Sequence, residues 1–485
     1  MEKRSKIIFK LLAAAFAFLL AVMLKIIVID KMKYTLAASE QHLVKTKVKI
    51  YRGMIYDRNL IPLVDCRSYI LGINGEDGKN MRYNITKRYD ERSLARHLVG
   101  YVDSKSDGVS GVEKRYNDYL SLSGSYVISE INDVNQKRIK NLPETVKNDG
   151  NQQSGICLTL DYHVQKAVEN AFDNSKKTGA AVVLDVKNFD VLAMASRPNF
   201  DQNNIEKYIN GGGSELINRA VSEYNAGSIF KIITASAALE NGIAKGGDLF
   251  WCGGFANIDG KNFGCNKKEG HKNLNFYDAF ANSCNVCFYD LAILEGSDRL
   301  CDMAKKFGLG ETVIGLEGEK SGNIEIGTTR CDMANAAIGQ GKILITPVQA
   351  AKTAAIIASG GVSRNVNIVK QEVDQNGCDK RSLYYESEKR VISRESADIV
   401  KDMMYLAVSS GTGRAAYDEK IKICGKTGSA QTGWISEGSL MVHGWFVGFF
   451  PYDNPKYAMA VFLENGQSGA EAAKIFLDIA REIEE

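Results

Sequence analysis

The pattern of apolar and polar residues predicts a membrane-spanning helix at the start of the chain. Residues 7–29 are apolar except for Lys10 and Lys25. A helix of this length spans about 35 Å, which exceeds the roughly 30 Å hydrocarbon core of a bilayer. The two lysines can extend toward the interfaces, so they do not prevent insertion. A cleaved signal peptide is the alternative, because small residues at 36–39 offer a cleavage site.

The polarity and periodicity of the sequence change twice after this segment. Residues 30–150 are polar and irregular, with short apolar alternations such as Val48 to Tyr51, and they predict an extended, strand-rich pedestal domain of the dimerisation type. From about Gly155 onward, helix-like and strand-like periods follow one another. We therefore predict a tail at 1–6, a transmembrane helix at 7–29, the pedestal at 30–150 and a catalytic domain at 151–485.

Apolar runs in the last region predict individual elements. Helices are expected at 164–172, 229–239, 347–358 and 470–483, and strands at 180–185, 191–195, 445–450 and 457–463. The strands at 180–185 and 191–195 should form a hairpin. This order predicts an α+β fold, an α/β sandwich with helices packed on a mostly antiparallel sheet.

Composition excludes several classes of protein. Apolar residues make up 45% of the 485 residues and charged residues 25%, as in ordinary folded proteins. The net charge of +3 gives no reason to expect nucleic acid as a partner. Ten cysteines are too sparse for a scaffold held by disulfides.

The helix predicted at 229–239 starts beside a candidate nucleophile and base. Ser228 and Lys231 are three residues apart and therefore lie on one helix face. A serine hydroxyl attacks efficiently once a base takes its proton, and a desolvated lysine can be neutral near neutral pH. Free N–H groups at the helix start can also stabilise an oxyanion.

Two further motifs follow along the chain. Ser283-Cys284-Asn285 comes after the nucleophile, and Lys426-Thr427-Gly428 leads into a predicted strand. Each motif alone is short enough to be found by chance in a chain of this length. A second Lys-Thr-Gly at 177–179 precedes the nucleophile and is interpreted as coincidental. Order, spacing and the flanking apolar elements together favour a catalytic set.

The three motifs match the set shared by penicillin-binding proteins and class A β-lactamases. With them, the chain resembles a class B penicillin-binding protein, a peptidoglycan D,D-transpeptidase, over most of its length. Further matching segments are Arg52–Asn59, His97–Tyr101, Gly111–Glu113, Ile338–Gly341, Thr346–Gln349 and His443–Gly448. Leu60 departs from the glycine of the family signature, so that turn is expected to differ, and Ala226 replaces the usual proline.

The resemblance implies an acyl-enzyme mechanism. Ser228 would attack the penultimate D-Ala carbonyl of a stem pentapeptide, and Lys231 would accept the serine proton. Ser283, positioned by Asn285 and near Lys426, would relay a proton to the leaving amine. An amine of a neighbouring stem peptide would then form the crosslink, and β-lactams would acylate the same serine.

The resemblance also implies how the substrate is held. Lys426 and Thr427, with Gly428 in the same motif, would hold the substrate carboxylate. The backbone N–H groups of Ser228 and Ser429 would form the oxyanion hole. No cofactor is implied. The pedestal is too short for a glycosyltransferase, so a separate SEDS-type glycosyltransferase is the expected membrane partner, and residues 1–6 should lie in the cytoplasm.

Two alternatives use the same acylation chemistry. A β-lactamase needs a deacylating base, but the chain has no Glu-x-x-Leu-Asn run, and Asn285 differs from the Ser-x-Val of class D enzymes. A β-lactam-sensing receptor needs a cytoplasmic output domain, for which the short tail at 1–6 leaves no room. Both alternatives are therefore disfavoured relative to the transpeptidase.

The cysteines and histidines give no metal prediction. Cys284 and Cys287 have the Cys-x-x-Cys spacing, but no second pair completes a zinc site, so core packing is favoured. The five histidines show no metal-binding spacing. Cys252 and Cys265 flank a Gly-rich loop, where a disulfide and two free thiols both remain open.

Overall fold

The computed structural model describes residues 2–31, 33–34, 43–50, 52–64, 88–90, 93–121, 124–132, 145–148, 154–374, 379–436 and 439–485. The chain divides into two compact units, one of 1–52, 66–86 and 123–153, the other of 53–65, 87–122 and 154–485. The alternative cleavage site at 36–39 lies outside the described residues, as does much of 30–150. The predicted domain boundary at residue 150 stays a prediction.

The helices of the described residues are numbered here in chain order. They are α1 Glu2–Leu24, α2 Arg96–Val99, α3 Gly111–Arg115, α4 Asn117–Leu120, α5 Tyr162–Ser175, α6 Ile205–Gly211, α7 Lys231–Glu240, α8 Phe276–Ala281, α9 Asn285–Glu295, α10 Ser297–Lys306, α11 Arg330–Ala337, α12 Pro347–Ala358, α13 Arg394–Ser409 and α14 Gly469–Glu484. A π-helical segment covers Lys25–Ile29, and 3-10 segments cover Arg219–Val221, Gly227–Phe230 and Arg414–Ala416.

The strands of the described residues follow the same convention. They are β1 Leu43–Ile50, β2 Ile55–Tyr56, β3 Pro62–Val64, β4 Gly124–Ile131, β5 Thr145–Asn148, β6 Ser154–Leu158, β7 Gly179–Asp185, β8 Val191–Arg197, β9 Tyr224–Asn225, β10 Leu249–Cys252, β11 Phe255–Ile258, β12 Lys261–Gly264, β13 Lys272–Asn275, β14 Leu344–Ile345, β15 Val362–Arg364, β16 Val369–Asp374, β17 Asp379–Ser382, β18 Glu388–Arg390, β19 Cys424–Ser436, β20 Ser439–Phe450 and β21 Tyr457–Leu463.

The smaller unit contains the N-terminal helix and one sheet. Helix α1 and the π-helical segment form a continuous, largely apolar stretch, Arg4–Ile29, which contains an 18-residue window with a mean hydropathy of 2.8 and no buried residues. Among the described residues, this is the one helix long and apolar enough to cross a bilayer. Strands β1, β4 and β5 form an antiparallel sheet in the same unit.

A five-stranded antiparallel sheet organises the larger unit, in the order β19-β20-β21-β7-β8. Alternate residues of one strand face opposite layers, as the pleat requires. In β7, Val182 and Leu184 join the core cluster that contains α7, α9, α12 and α13. Ala181 and Val183 join the cluster formed with α5 and α14. The predicted sandwich of helices on a mostly antiparallel sheet is therefore confirmed.

The predicted helices and strands of this unit lie where local sequence signals predict that they start. Helix α12 starts with a capping box in which the Thr346 side chain accepts from the Gln349 N–H, and Pro347 occupies the first turn. The predicted helix at 347–358 coincides with it. The predicted hairpin of 180–185 and 191–195 lies within β7 and β8.

A second sheet of the same unit, β17-β16-β6-β2-β3, contains the turn for which the family signature has glycine. The Asp57 carboxylate accepts from the backbone N–H groups of Asn59 and Ile61 at 2.8 and 2.7 Å. Leu60 has φ 65°. This left-handed conformation is easy for glycine and strained for leucine. The turn at Leu60 thus adopts the backbone conformation that glycine favours.

Candidate active site

The Ser228 segment turns sharply into helix α7. Ser228 is half-buried within the 3-10 segment Gly227–Phe230, and Lys231 is the first α-helical residue. Gly227 has φ 57°, and a Cβ there would lie 2.9 Å from the Cβ of Ala430 in β19. Glycine therefore allows the nucleophile segment to approach the edge strand closely.

Buried contacts of two other motifs hold this segment in place. The Trp445 indole, fully buried in β20, donates from Nε1 to the carbonyl of Asn225 at 2.9 Å. The N–H of Gly227 donates to the carbonyl of Gly339 at 2.9 Å. The segments His443–Gly448 and Ile338–Gly341 therefore position the backbone around Ser228.

The second motif occupies the turn between α8 and α9. Ser283 has φ 55°, and its N–H donates to the carbonyl of Phe280 at 3.0 Å. Cys284 then precedes α9, of which Asn285 is the first residue. A non-glycine residue in the left-handed region costs on the order of 1–3 kcal/mol, and such strain is concentrated at functional sites. Here it brings the Ser283 hydroxyl and the Asn285 amide to one side.

Two lysines converge on the Ser283 hydroxyl. Lys231 Nζ lies 3.1 Å from Ser283 Oγ, and it donates to the Ser283 carbonyl at 2.8 Å and to Asn285 Oδ1 at 2.7 Å. Lys426 Nζ lies 3.0 Å from the same Oγ. Ser283 Oγ therefore bridges the two amino groups and can pass a proton between them.

Burial makes both amines unusually acidic. Neither Lys231 nor Lys426 has any exposed surface. Desolvation lowers the pKa of Lys231 to about 8. Burial also lowers the pKa of Lys426 well below its ordinary value, and the nearby Lys231 lowers it further. A neutral lysine is thus available as a proton acceptor near physiological pH.

The third motif lies within β19, so the predicted strand after Lys426 begins slightly earlier, at Cys424. A Cβ on Gly428 would lie 3.0 Å from Ile229 Cγ2, so this part of β19 runs against the nucleophile segment. Ser429 is exposed, and its Oγ accepts from the N–H of Gly469 at 3.2 Å.

One polar residue of this region escaped the sequence analysis. The Thr427 hydroxyl donates to Thr412 Oγ1 at 2.9 Å, and the N–H of Thr412 donates to the carbonyl of Ala281 at 3.1 Å. Thr412 belongs to Gly411-Thr412-Gly413, where a Cβ on Gly411 would lie 2.3 Å from the same carbonyl. The run of Gly-Thr-Gly was the only sequence signal, and it is too short to identify a function.

The structure brings the candidate residues together, but it differs from the sequence prediction in the contact between Ser228 and Lys231. Among the described residues, no hydrogen bond joins Ser228 Oγ to Lys231 Nζ, which is occupied by Ser283 and Asn285. Lys177 of the second Lys-Thr-Gly instead pairs with Glu471 at 2.8 Å on the surface. Its interpretation as coincidental agrees with this partner.

The family model for the penicillin binding protein transpeptidase domain matches residues 179–481. The chain therefore belongs to the penicillin-binding protein transpeptidase family. Within that family it is a class B penicillin-binding protein, which confirms the resemblance carried by its motifs. The apolar helix α1 fits the membrane anchor of such proteins.

Particular relatives are similar over most of this chain. It is 30% identical to stage V sporulation protein D of Bacillus subtilis, over 82% of this chain and 63% of the relative. It is 28% identical to the peptidoglycan D,D-transpeptidase MrdA of Acinetobacter baumannii, over 82% of this chain and 66% of the relative. The chain thus spans slightly less than two thirds of the length of these relatives.

Solved structures share the fold. Penicillin binding protein 3 of Mycobacterium tuberculosis, complexed with ampicillin, is 28% identical, with a TM-score of 0.71 and coverage of 90% of this chain and 95% of that one. A D,D-transpeptidase domain from Eggerthella lenta is 25% identical, with a TM-score of 0.71 and coverage of 89% and 97%.

Proposed function

We propose that this chain is a membrane-anchored peptidoglycan D,D-transpeptidase that works through an acyl-enzyme on Ser228. The observation that carries the proposal is the convergence of Lys231 and Lys426 on Ser283 Oγ, at 3.1 and 3.0 Å. This network joins a base next to the nucleophile to a second amine at the opposite side of the site. Acyl transfer requires such a path, because a proton must leave the nucleophile and reach the leaving amine.

The acylation step uses the buried amines. Neutral Lys231 accepts the Ser228 proton as Oγ attacks the penultimate D-Ala carbonyl of a stem peptide. The amide C–N bond then breaks, and the terminal D-Ala amine takes a proton that Ser283 relays. The N–H groups of Ser228 and Ser429 stabilise the oxyanion, since β19 runs against the nucleophile segment.

Substrate binding uses the Lys426-Thr427-Gly428 segment of β19. Lys426 has a pKa well below its ordinary value in the free protein. An approaching substrate carboxylate favours the protonated amine, so binding of the anion and charging of Lys426 support each other. Thr427 adds a hydroxyl that donates to Thr412 Oγ1 in the free protein. It can donate to the carboxylate when Thr412 becomes the donor of that hydrogen bond.

The second step forms the crosslink. An amine from a neighbouring stem peptide attacks the ester carbon, the bond to Ser228 Oγ breaks, and the serine recovers its proton. A β-lactam takes the same route as far as acylation. Support comes from the ampicillin complex of the 28% identical Mycobacterium tuberculosis protein.

The proposed topology follows from this chemistry. Peptidoglycan lies outside the cell membrane, so the transpeptidase unit faces outward and residues 1–6 lie in the cytoplasm. The apolar helix, with a mean hydropathy of 2.8 over 18 residues, supports the anchor. A SEDS-type glycosyltransferase is the proposed membrane partner, because it would supply the glycan strands that this chain crosslinks.

Labelling with a fluorescent penicillin tests the proposal on the full chain in detergent. We expect a covalent adduct that turns over on minutes or longer and is absent from Ser228→Ala. A wild-type chain that never labels would rule out the serine assignment. Rapid release of hydrolysed drug would instead identify a membrane-anchored β-lactamase, and a stable adduct without any transpeptidation of a stem-peptide substrate would favour a β-lactam-sensing receptor.

A further inference from the structure

A polar pocket lies in the larger unit, away from the catalytic motifs. It has a volume of about 510 Å³, and its walls are three loop segments: the turn between β7 and β8, the residues at the end of β15 and after it, and residues 384–388 before and at the start of β18. This volume lies within the roughly 300–1,000 Å³ range of pockets that bind small molecules. The proposed mechanism uses none of these segments, so the pocket is a candidate for a second binding site.

The register of the central sheet separates this pocket from the active site. Successive pairs across β19, β20, β21 and β7 place Lys426 and Val182 in one row. Three spacings of about 4.8 Å between strands put these two residues roughly 14 Å apart. Strand β7 continues from Val182 to Asp185 before the turn that carries Asn188 begins. A ligand in the pocket would therefore lie more than about 15 Å from the backbone of Lys426.

Backbone contacts fix two walls of the pocket against each other. Phe189 is fully buried with φ 61°, and its N–H donates to the carbonyl of Asp185 at 2.8 Å. The N–H of Asn367 donates to the Phe189 carbonyl at 3.3 Å, and the Asn367 carbonyl accepts from the N–H of Val191 at 2.9 Å. The Arg364 guanidinium lies over the Phe189 ring at 5.8 Å. These walls are therefore in place before any ligand binds.

The charges that line the pocket balance one another. Two basic and two acidic residues contribute to the lining. Arg364 pairs with Glu388 at 3.1 Å, and Lys187 and Glu386 are exposed to solvent. A pocket that selects a highly charged ligand carries an excess of the opposite charge. The lining therefore favours a neutral, polar ligand over an anion or a cation.

Uncharged hydrogen-bonding groups make up the rest of the lining, as three asparagines, two tyrosines and one serine. Asn188 Nδ2 donates to Asp190 Oδ2 at 2.9 Å, which orients this amide. Within the part of the chain that the structure describes, the buried Arg364 Nη1 has no acceptor. In native proteins such donors are usually paired with ordered water or a ligand. Tyr385 is 69% exposed, so its ring can pack on a ligand that enters from solvent.

These groups match an amino sugar. Amides and hydroxyls both donate and accept, as hydroxyl and acetamido groups require. The negative face of a tyrosine ring suits the C–H face of a sugar ring. We propose that the pocket binds a short glycan of N-acetylated amino sugars, with Tyr385 against a sugar ring and with Asn188 and Asn365 near its polar groups.

The site stands independently of the proposed function, whereas its role rests on that function. Peptidoglycan strands are chains of N-acetylated amino sugars that carry the stem peptides. A strand held in the pocket would keep its stem peptides near Ser228 and so raise their effective concentration. The pocket would thus act on binding of the polymer and leave the chemistry at Ser228 unchanged.

Calorimetric titration with chitotriose, the trimer of N-acetylglucosamine, tests the site on the full chain. The detergent must lack a sugar headgroup. We expect saturable binding with a Kd on the order of 1 mM, and binding of maltotriose, which has no acetamido groups, at least about tenfold weaker. The Kd should be the same after treatment with penicillin, and a stem pentapeptide without sugar should not bind the treated chain.

Two variants at exposed positions locate the binding. Ser387→Trp should fill the pocket from its rim and abolish binding, and Tyr385→Ala should raise the Kd about fivefold because ring packing is lost. Tyr417→Ala is the matched control, since Tyr417 is also exposed and lies outside the pocket. The proposal is overturned if the wild type binds chitotriose no better than Ser387→Trp, or if penicillin abolishes binding. It is equally overturned if maltotriose or the pentapeptide binds as well as chitotriose.

Penicillin labelling separates this site from the proposed function. Ser387→Trp should label like the wild type, which also shows that it is folded, and its KM for a polymeric glycan substrate should rise about tenfold or more. An unchanged KM would refute the role in holding the strand. A chain that binds chitotriose but never labels would refute the proposed function alone, and a chain that labels without binding chitotriose would refute the sugar site alone.

Discussion

The two sides of the Ser283 turn differ in chemistry although they are built from three consecutive residues. Ser283 and Asn285 face Lys231 Nζ at 3.1 and 2.7 Å, and Lys426 approaches from β19. Cys284, between them, faces the sulfur of Cys265 at 3.9 Å. One side thus carries two buried amines, and the other carries thiols and an imidazole. A short turn can therefore present different chemistry on its two sides because its successive side chains point in different directions.

The two sides also differ in whether their protonation changes during turnover. The amine side must change its protonation during each turnover, so it depends on pKa values that burial has shifted. The thiol side takes no part in the proposed proton transfer, so it should stay constant throughout.

The largest effect is expected from Lys231→Met, which removes the proposed base while keeping a similar side-chain length. Acylation by a fluorescent penicillin should fall by about 10²- to 10⁴-fold, the usual contribution of general base catalysis. Lys177→Met is the matched control, since Lys177 belongs to the second Lys-Thr-Gly and pairs on the surface with Glu471. Acylation within tenfold of the wild type would exclude Lys231 as the base.

The pH dependence should distinguish the two sides next. Burial lowers the pKa of Lys231 to about 8, and the groups that face it are Lys426 and the thiols of Cys284, Cys265 and Cys287. Below this pKa the protonated amine cannot accept a proton, so acylation should rise about tenfold per pH unit and level off above it. Stopped-flow labelling measures this rate. A rate independent of pH through this region would contradict the assignment.

The smallest effect is expected from Thr412→Val, which removes the acceptor of the Thr427 hydroxyl while preserving shape. A hydrogen bond of this kind contributes about 1 kcal/mol, so acylation efficiency should fall about fivefold. Thr412→Ser, which keeps the hydroxyl, should behave like the wild type. Equal efficiencies for the valine and serine variants would show that Thr412 has no positioning role.

Much of the sheet and its helices was predictable, because the repeat of apolar residues that defines each element lies within a short stretch of sequence. The alternation of Val182 and Leu184 with Ala181 and Val183 follows from the two-residue repeat of a strand covered on both faces. The helix at 347–358 begins at Thr346 and Pro347, whose capping signals are written in adjacent residues. Such signals require no knowledge of distant parts of the chain.

The proximity of the candidate catalytic motifs was predictable for a different reason. Ser228 and Lys231 share a helix face by spacing alone, and the order of the three motifs indicated a common site. The spacing nevertheless suggested direct contact between Ser228 and Lys231. In the structure, the Lys231 amine is bound instead by the carbonyl of Ser283 and the amide of Asn285. Partners from another helix compete for the same amine, and spacing within one helix cannot reveal them.

The chain by itself therefore determined the apolar anchor segment, the alternation of the central sheet and the three candidate catalytic motifs. Each of these is encoded by neighbouring residues. The tertiary structure decided that Thr412 supports Thr427 and that Cys284 meets Cys252, Cys265 and His271 rather than Cys287. Those contacts join separate strands, loops and helices at 3–5 Å, and they form only when tight glycine turns close the backbone around them.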